Sequence, residues 1–227
     1  MPLDFRQVVN DLDEERFQLL YGRWDPLEPV AVAALLTGSG IRWHIAGGRA
    51  ARLGAAPRRH EDTDVVVRMA DLDVLRRALA GWHLWEANDG ALRPLLPEVA
   101  LAEGCGQLWA RRDARQPWQL DLLLDRASDD AEWVFKRDAS VRRPWADALC
   151  MVAGIAHLRP EIALLHKAWL DRPKDRADLA AARLDPAGRA WLAETLERLG
   201  HGDWARLVRA DGDDAVGQAE ADQQRRG

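Results

Sequence analysis

Ile41-Arg42-Trp43-His44-Ile45-Ala46, then Gly47-Gly48, and fourteen residues past the second glycine Asp62-Thr63-Asp64-Val65-Val66-Val67-Arg68: this stretch decides the fold. Its first six residues alternate as a half-buried strand does, and the glycine pair stops that strand abruptly. The β-branched run Val65-Val66-Val67 has the length of a buried strand. Side chains at i and i+2 of an extended chain share a face, so Asp62 and Asp64 point the same way. Two like charges side by side are costly unless a cation lies between them. At a junction from strand to helix, Gly47 and Gly48 leave backbone N–H groups open to an anion, aided by the helix N-terminus.

Working outward, Leu3 to Leu20 spaces its apolar residues at near-helical intervals and predicts one or two amphipathic helices. Pro29 to Leu36 reads as a short apolar helix closed by Gly38 and Gly40. Asp71 is a good N-cap for a helix over Leu72 to Ala80, with Gly81 beyond its end. Further strands are expected at Trp82–Glu86, Gln107–Arg111, Trp118–Leu124 and Glu132–Lys136, whereas the loop holding Pro94, Pro97, Gly104 and Gly106 has no clear period. Helices are expected over Pro160–Leu170, Pro173–Ala182 and Pro186–Leu199, each with proline at its first position and the third capped by Asp185. The fold class is therefore α+β. A β-containing core with N-terminal helices spans residues 1–145, a helical subdomain 146–210, and a polar, Gly-rich tail 211–227 reads as disordered.

A third carboxylate lies in Asp121-Leu122-Leu123-Leu124, 57 positions after Asp64, where apolar neighbours make partial burial and a partner necessary. Three carboxylates on strands of one sheet form an all-oxygen site suited to Mg²⁺. Of 32 basic residues only Lys136, Lys167 and Lys174 are lysine. In a chain that otherwise uses arginine, a lysine is a candidate for reaching a phosphate as a compact point charge. The net charge of −5 weighs against nonspecific coating of nucleic acid, though not against a local basic site. No apolar run is long enough for a membrane span, residues 1–10 do not resemble a signal peptide, and Cys105 and Cys150 have no metal-binding or disulfide spacing. A cytoplasmic protein with reduced thiols is expected.

Each feature alone is weak, since glycine pairs are usually turns, Asp-x-Asp is usually solvated, and a strand aspartate more often pairs with an arginine. Their order is specific, and it resembles the nucleotidyltransferases of polymerase-β-like fold, in particular the aminoglycoside nucleotidyltransferase-like group. That group's pattern appears as Gly47-Gly48, Leu53-Gly54 and Arg58-Arg59-His60-Glu61-Asp62-Thr63-Asp64. Its later helical lysine and K-D-x-x-D elements appear as Leu158-Arg159-Pro160-Glu161-Ile162 through Lys167, and as Lys174-Asp175-Arg176-Ala177-Asp178. The resemblance covers roughly residues 30–200 and implies a mixed-sheet core with a C-terminal helical subdomain. It implies transfer of a nucleoside monophosphate from a triphosphate to an acceptor, with two Mg²⁺ ions on Asp62, Asp64 and Asp121. Asp121 would accept the proton of the attacking hydroxyl, while Gly47, Gly48, Lys167 and Lys174 would bind the nucleotide and Arg58 would contact phosphate or Asp62. The group's W-A-x-D after the glycines is absent, and Arg49 stands as a substitute phosphate contact or a solvated surface residue.

Three functions follow from these residues. The leading one is transfer to a small, aminoglycoside-like molecule, the cation that an acidic cleft of Glu61, Asp62, Asp64, Asp121 and Asp125 would attract. The others are a toxin-like enzyme acting on tRNA or protein, and a nucleotide-binding module that has lost turnover. For Lys167 the alternative is a helix lysine snorkelling past the stripe Ile162, Leu165, His166 and Trp169. Lys174 and Asp178 are spaced as an i,i+4 ion pair.

Overall fold

The structure, a computed structural model, describes residues 14–55 and 60–210. The expected helices over residues 3–13, the tail 211–227 and the segment holding Arg58 and Arg59 lie outside them. Helix α1 (Glu14–Tyr21) and α2 (Pro29–Leu36) precede β1 (Trp43–Ile45), and the five-residue α3 (Gly47–Ala51) follows it directly. Next come β2 (Asp64–Arg68), α4 (Leu72–Ala78), β3 (His83–Asn88), β4 (Ala91–Pro94), β5 (Gln107–Arg111) and β6 (Leu120–Asp125). After these lie β7 (Glu132–Val134), β8 (Arg142–Pro144), the single turn α5 (Trp145–Ala148), β9 (Leu149–Val152) and β10 (Ile155–Leu158). Helices α6 (Pro160–Ala168), α7 (Pro173–Ala181) and α8 (Pro186–Arg198) complete the order, and residues 202–210 are also helical.

Eight strands form one mixed sheet in the order β4-β3-β5-β6-β2-β1-β10-β9, with β7 and β8 as a separate hairpin. Only β1–β10 and β2–β6 pair in parallel; the other ladders are antiparallel. Alternation along the two central strands gives the sheet two different faces. Val65 and Val67 of β2, and Leu120, Leu122 and Leu124 of β6, are buried under α2 and α4 together with Val32, Leu36 and Leu75. Asp64, Val66, Asp121, Leu123 and Asp125 belong to the opposite face. Over its β1–β10 side that face is covered by a second core built from Ala50, Ala51, Leu158, Ile162, Leu165, Leu192 and Leu196.

The α+β expectation and its mixed sheet are met. The helical part, however, begins at Pro160 rather than at 146, because β9 and β10 extend the same sheet through residues 149–158. β10 is the parallel partner of β1, with Ile45 opposite His157, so these residues are integral to the core sheet. Asp71 does not cap α4 through its side chain; its Oδ2 accepts from the backbone N–H of Arg42. Asp185 does cap α8, accepting from the N–H of Gly188. Among the described residues no helix is long and apolar enough to cross a membrane, and both cysteines are free thiols.

Candidate active site

The parallel ladder between β2 and β6 sets Asp64 directly opposite Asp121. Asp62 lies two residues before Asp64 on the extended lead-in to β2, and ligand oxygens of all three carboxylates lie within 4.8 Å of one another. Among the described residues, none of the three is hydrogen-bonded or ion-paired to an Arg or Lys. Among the described residues the polar side chain attached to the group is Gln107 of β5, whose Nε2 donates to both oxygens of Asp121 at 2.8 Å each. Burial and the neighbouring Asp62 push the Asp64 carboxyl up to about 7. Burial, followed by Asp64 and Asp62, also raises Asp121 well above the ordinary carboxylate range. Like charges held together with little access to water are expected to behave in this way.

The glycine pair has a visible task. Gly47 follows β1 at the start of α3 with φ +57°, and a Cβ placed there would lie 1.6 Å from Asp64 Oδ2. Any larger residue would displace the carboxylate and strain the backbone, so Gly47 gives Asp64 its place. The intervening Thr63 is fully buried and accepts from Arg49 Nε at 2.9 Å. Both terminal nitrogens of Arg49 donate to Glu28 at 2.8 Å. Extended-chain alternation turns Thr63 away from Asp62 and Asp64, so Arg49 braces the acidic strand from behind and its guanidinium is already engaged. Asp125 shares the face of Asp121 but accepts from the backbone N–H groups of Ala127 and Ser128, closing the turn after β6.

The predicted lysines separate into different environments. Lys167 of α6 is buried, with Nζ 3.1 Å from Asp175 and 3.0 Å from Asp178. Arg172 binds Asp175 through two nitrogens, and Arg52 from the end of α3 reaches Asp178 at 3.5 Å. This network docks α7 onto α6 and α3. Lys174 forms no pair with Asp178; its Nζ meets Glu61 at 3.0 Å, and both side chains are about half exposed. The positive fields of Lys167, Lys174 and Arg172 all reach Asp64 and partly oppose its upward shift. Two groups missing from the sequence-derived site also belong here: Gln107, and Lys136, which sits past β7 where its ammonium is felt by Asp121 and Asp64. The scarcity of lysine in the chain marked Lys136, whereas nothing local marked Gln107.

No protein-family model matches this chain, and no curated protein matches it. Among solved structures it is similar to the antibiotic-resistance factor ANT(2'')-Ia, described as showing substrate-regulated conformation dynamics in solution. The two are 13% identical over 87% of this chain and 96% of that one, with a TM-score of 0.40. At that level the likeness carries no functional weight. The chemistry of the site has to be read from its own residues.

Two outcomes are expected from the geometry. Removing a repelled charge should help the metal-free protein, and the sign follows from proton linkage. A carboxyl raised in the folded state binds protons that the unfolded chain has released, so its contribution is lost as pH rises, for Asp64 from about 4 through 7 and for Asp121 upward from the ordinary carboxylate range. Buried His44, held at about 4, and His166, held at about 3, act in the opposite sense. The informative quantity is therefore a difference: Asp121→Asn should gain stability relative to the parent as pH rises from about 4, measured by urea unfolding without metal. A relative loss at pH 7 would mean that Asp121 is a structural partner. For Lys167→Met the expectation is a destabilisation of about 3–5 kcal/mol, because two buried carboxylates lose their shared ammonium. Unfolding of that variant at parental denaturant concentration would contradict the network.

Proposed function

We propose that this chain transfers a nucleoside monophosphate from a nucleoside triphosphate to a hydroxyl of a small molecule, using magnesium held by Asp62, Asp64 and Asp121. The observation that carries the proposal is the triad itself: three convergent carboxylates without an Arg or Lys partner among the described residues, two of them raised by burial and by one another's charge. Structural aspartates in a sheet are normally paired or hydrated. An all-oxygen donor set of this charge fits a hard divalent cation. When bound, two Mg²⁺ ions would neutralise the carboxylates and polarise the phosphate undergoing attack.

The chain's own groups divide the remaining work. Gly47 and Gly48 open α3 beside Asp64, whose carboxylate fills the room a Cβ at Gly47 would take, and we assign their backbone N–H groups to the triphosphate. Lys174 is an accessible cation on that side, held by an exposed pair with Glu61 that contributes little and is easily exchanged for phosphate. Arg172 adds positive field from its place on Asp175. We assign Lys167 to holding α7 and biasing the field at Asp64, since direct phosphate contact would break two buried ion pairs. Arg49 braces Thr63 in this reading, and Arg58, outside the described residues, keeps its expected phosphate role.

In the transfer, the acceptor oxygen bonds to the α-phosphorus, the bridging bond to the β-phosphate breaks, and pyrophosphate leaves. Asp121, on β6 and so one strand further from the helical cations than Asp64, takes the hydroxyl proton. Gln107 orients it by donating to both oxygens. The cytoplasm remains the expected compartment.

The test begins with binding. Millimolar Mg²⁺ with a nucleoside triphosphate should raise the melting temperature of the parent, because both bind only the folded state. Asp64→Asn should lose most of that rise while keeping its circular dichroism spectrum. Labelled triphosphates with Mg²⁺ should then release pyrophosphate in the presence of a small hydroxylated acceptor. An equal rise in Asp64→Asn, or none in the parent, would refute the metal site.

A further inference from the structure

Beside the triad, on the side away from α6 and α7, the structure holds an open cavity of about 410 Å³. It lies over β3, β5 and β6. Gln107, Trp109 and Leu123 form its floor, Phe17 and Tyr21 of α1 one wall, the hairpin turn between β3 and β4 another, and Lys136 its inner rim. The Tyr21 hydroxyl donates to the carbonyl of Gly90 at 2.8 Å, latching the hairpin to α1. The cavity adjoins the reacting carboxylate by construction: Trp109 is the cross-strand partner of Asp121, and Gln107 is hydrogen-bonded to it.

The sheet order separates two halves of the site. The cations Lys167, Arg172 and Lys174 belong to α6, its following loop and α7, near β2 and Asp64, whereas the cavity opens at β6 and Asp121. If phosphates occupy the first half, the acceptor must enter through the second. This step rests on the proposed nucleotidyl transfer.

The lining then indicates what the acceptor looks like. Three aromatic rings, Phe17, Tyr21 and Trp109, pack within 5.1–6.1 Å of one another and present flat apolar surface. Two charged residues line the cavity, Asp89 at the hairpin tip and Lys136 at the Asp121 side. Lys136 forms no ion pair or hydrogen bond with any described residue. A polycation would face an unpartnered ammonium beside carboxylates already committed to metal, with no acidic cluster to receive its remaining charges. An anion would give Lys136 the partner it lacks.

We propose that this cavity is the acceptor site, and that it takes a ring-bearing alcohol or phenol with an anionic substituent rather than an aminoglycoside-like polycation. The ring lies against the aromatic wall, the hydroxyl faces Asp121 and the anionic group faces Lys136. Lys136 is thus a specificity-determining residue.

Three probes with one ring and different charge test this: 4-hydroxyphenylacetate, tyrosol and tyramine, with kanamycin as the polycation. Calorimetric titration into the full chain, with and without Mg²⁺ and a non-hydrolysable triphosphate, should rank them anion, neutral, amine, with at least tenfold between the extremes. Lys136→Gln should flatten the ranking and Lys136→Glu should reverse it, both with parental circular dichroism. Labelled nucleotide should be transferred to 4-hydroxyphenylacetate in preference to tyramine or kanamycin. Absence of binding by all ring probes, preference for the amine or kanamycin in the parent, or an unchanged ranking in both variants would overturn the proposal. Ring binding without any response to Mg²⁺ and triphosphate would instead leave the cavity in place and refute the transfer reaction on which its acceptor role depends.

Discussion

Repulsion among three carboxylates is the constraint around which this chain is arranged. The parallel pairing of β2 with β6 puts Asp64 opposite Asp121 at the ladder, and the two-residue period of the extended chain adds Asp62 on the same side. No Arg or Lys among the described residues pairs with them directly. Burial then turns proximity into raised proton affinity, so the metal-free site holds protons where a surface aspartate would hold none. Such an arrangement is unfavourable on its own and becomes favourable when a divalent cation replaces the protons.

The neighbouring groups make sense against that cost. Gly47 leaves room for Asp64 where a methyl group could not fit, and Arg49 with Glu28 anchors Thr63 from behind. Gln107 is neutral, so it fixes the orientation of Asp121 without cancelling its charge, which an arginine in the same place would do. Positive charge is kept one layer away. Lys167 and Arg172 spend their hydrogen bonds on Asp175 and Asp178, leaving their long-range field to act on Asp64.

Much of this was legible in the residues, for reasons that can be named. Asp62, Asp64 and Asp121 could be found because period-two alternation and apolar flanks predict where a strand carboxylate points and whether it is buried. Helices α6, α7 and α8 were marked at their starts by prolines, whose effect is local. What stayed hidden depends on contacts between distant segments. Leu149–Val152 and Ile155–Leu158 are too short to show a period, and only the partnership of β10 with β1 makes them sheet. Gln107 acquires its role from the register of β5 on β6. The spacing of Lys174 and Asp178 suggested a pair within one helix, yet Asp178 is buried against Lys167 and Lys174 turns outward to Glu61. Arg49 likewise looked free along the chain, whereas the fold brings Glu28 to it.

The most direct measurement of the central claim is anomalous diffraction from crystals of the full chain grown with Mn²⁺ and a non-hydrolysable nucleoside triphosphate. The account predicts anomalous density coordinated by oxygens of Asp62, Asp64 and Asp121, with the triphosphate running toward Lys174 and the aromatic cavity left open beside Asp121. Manganese bound elsewhere, or the three carboxylates found paired with arginine or lysine side chains while the metal is absent from them, would contradict it.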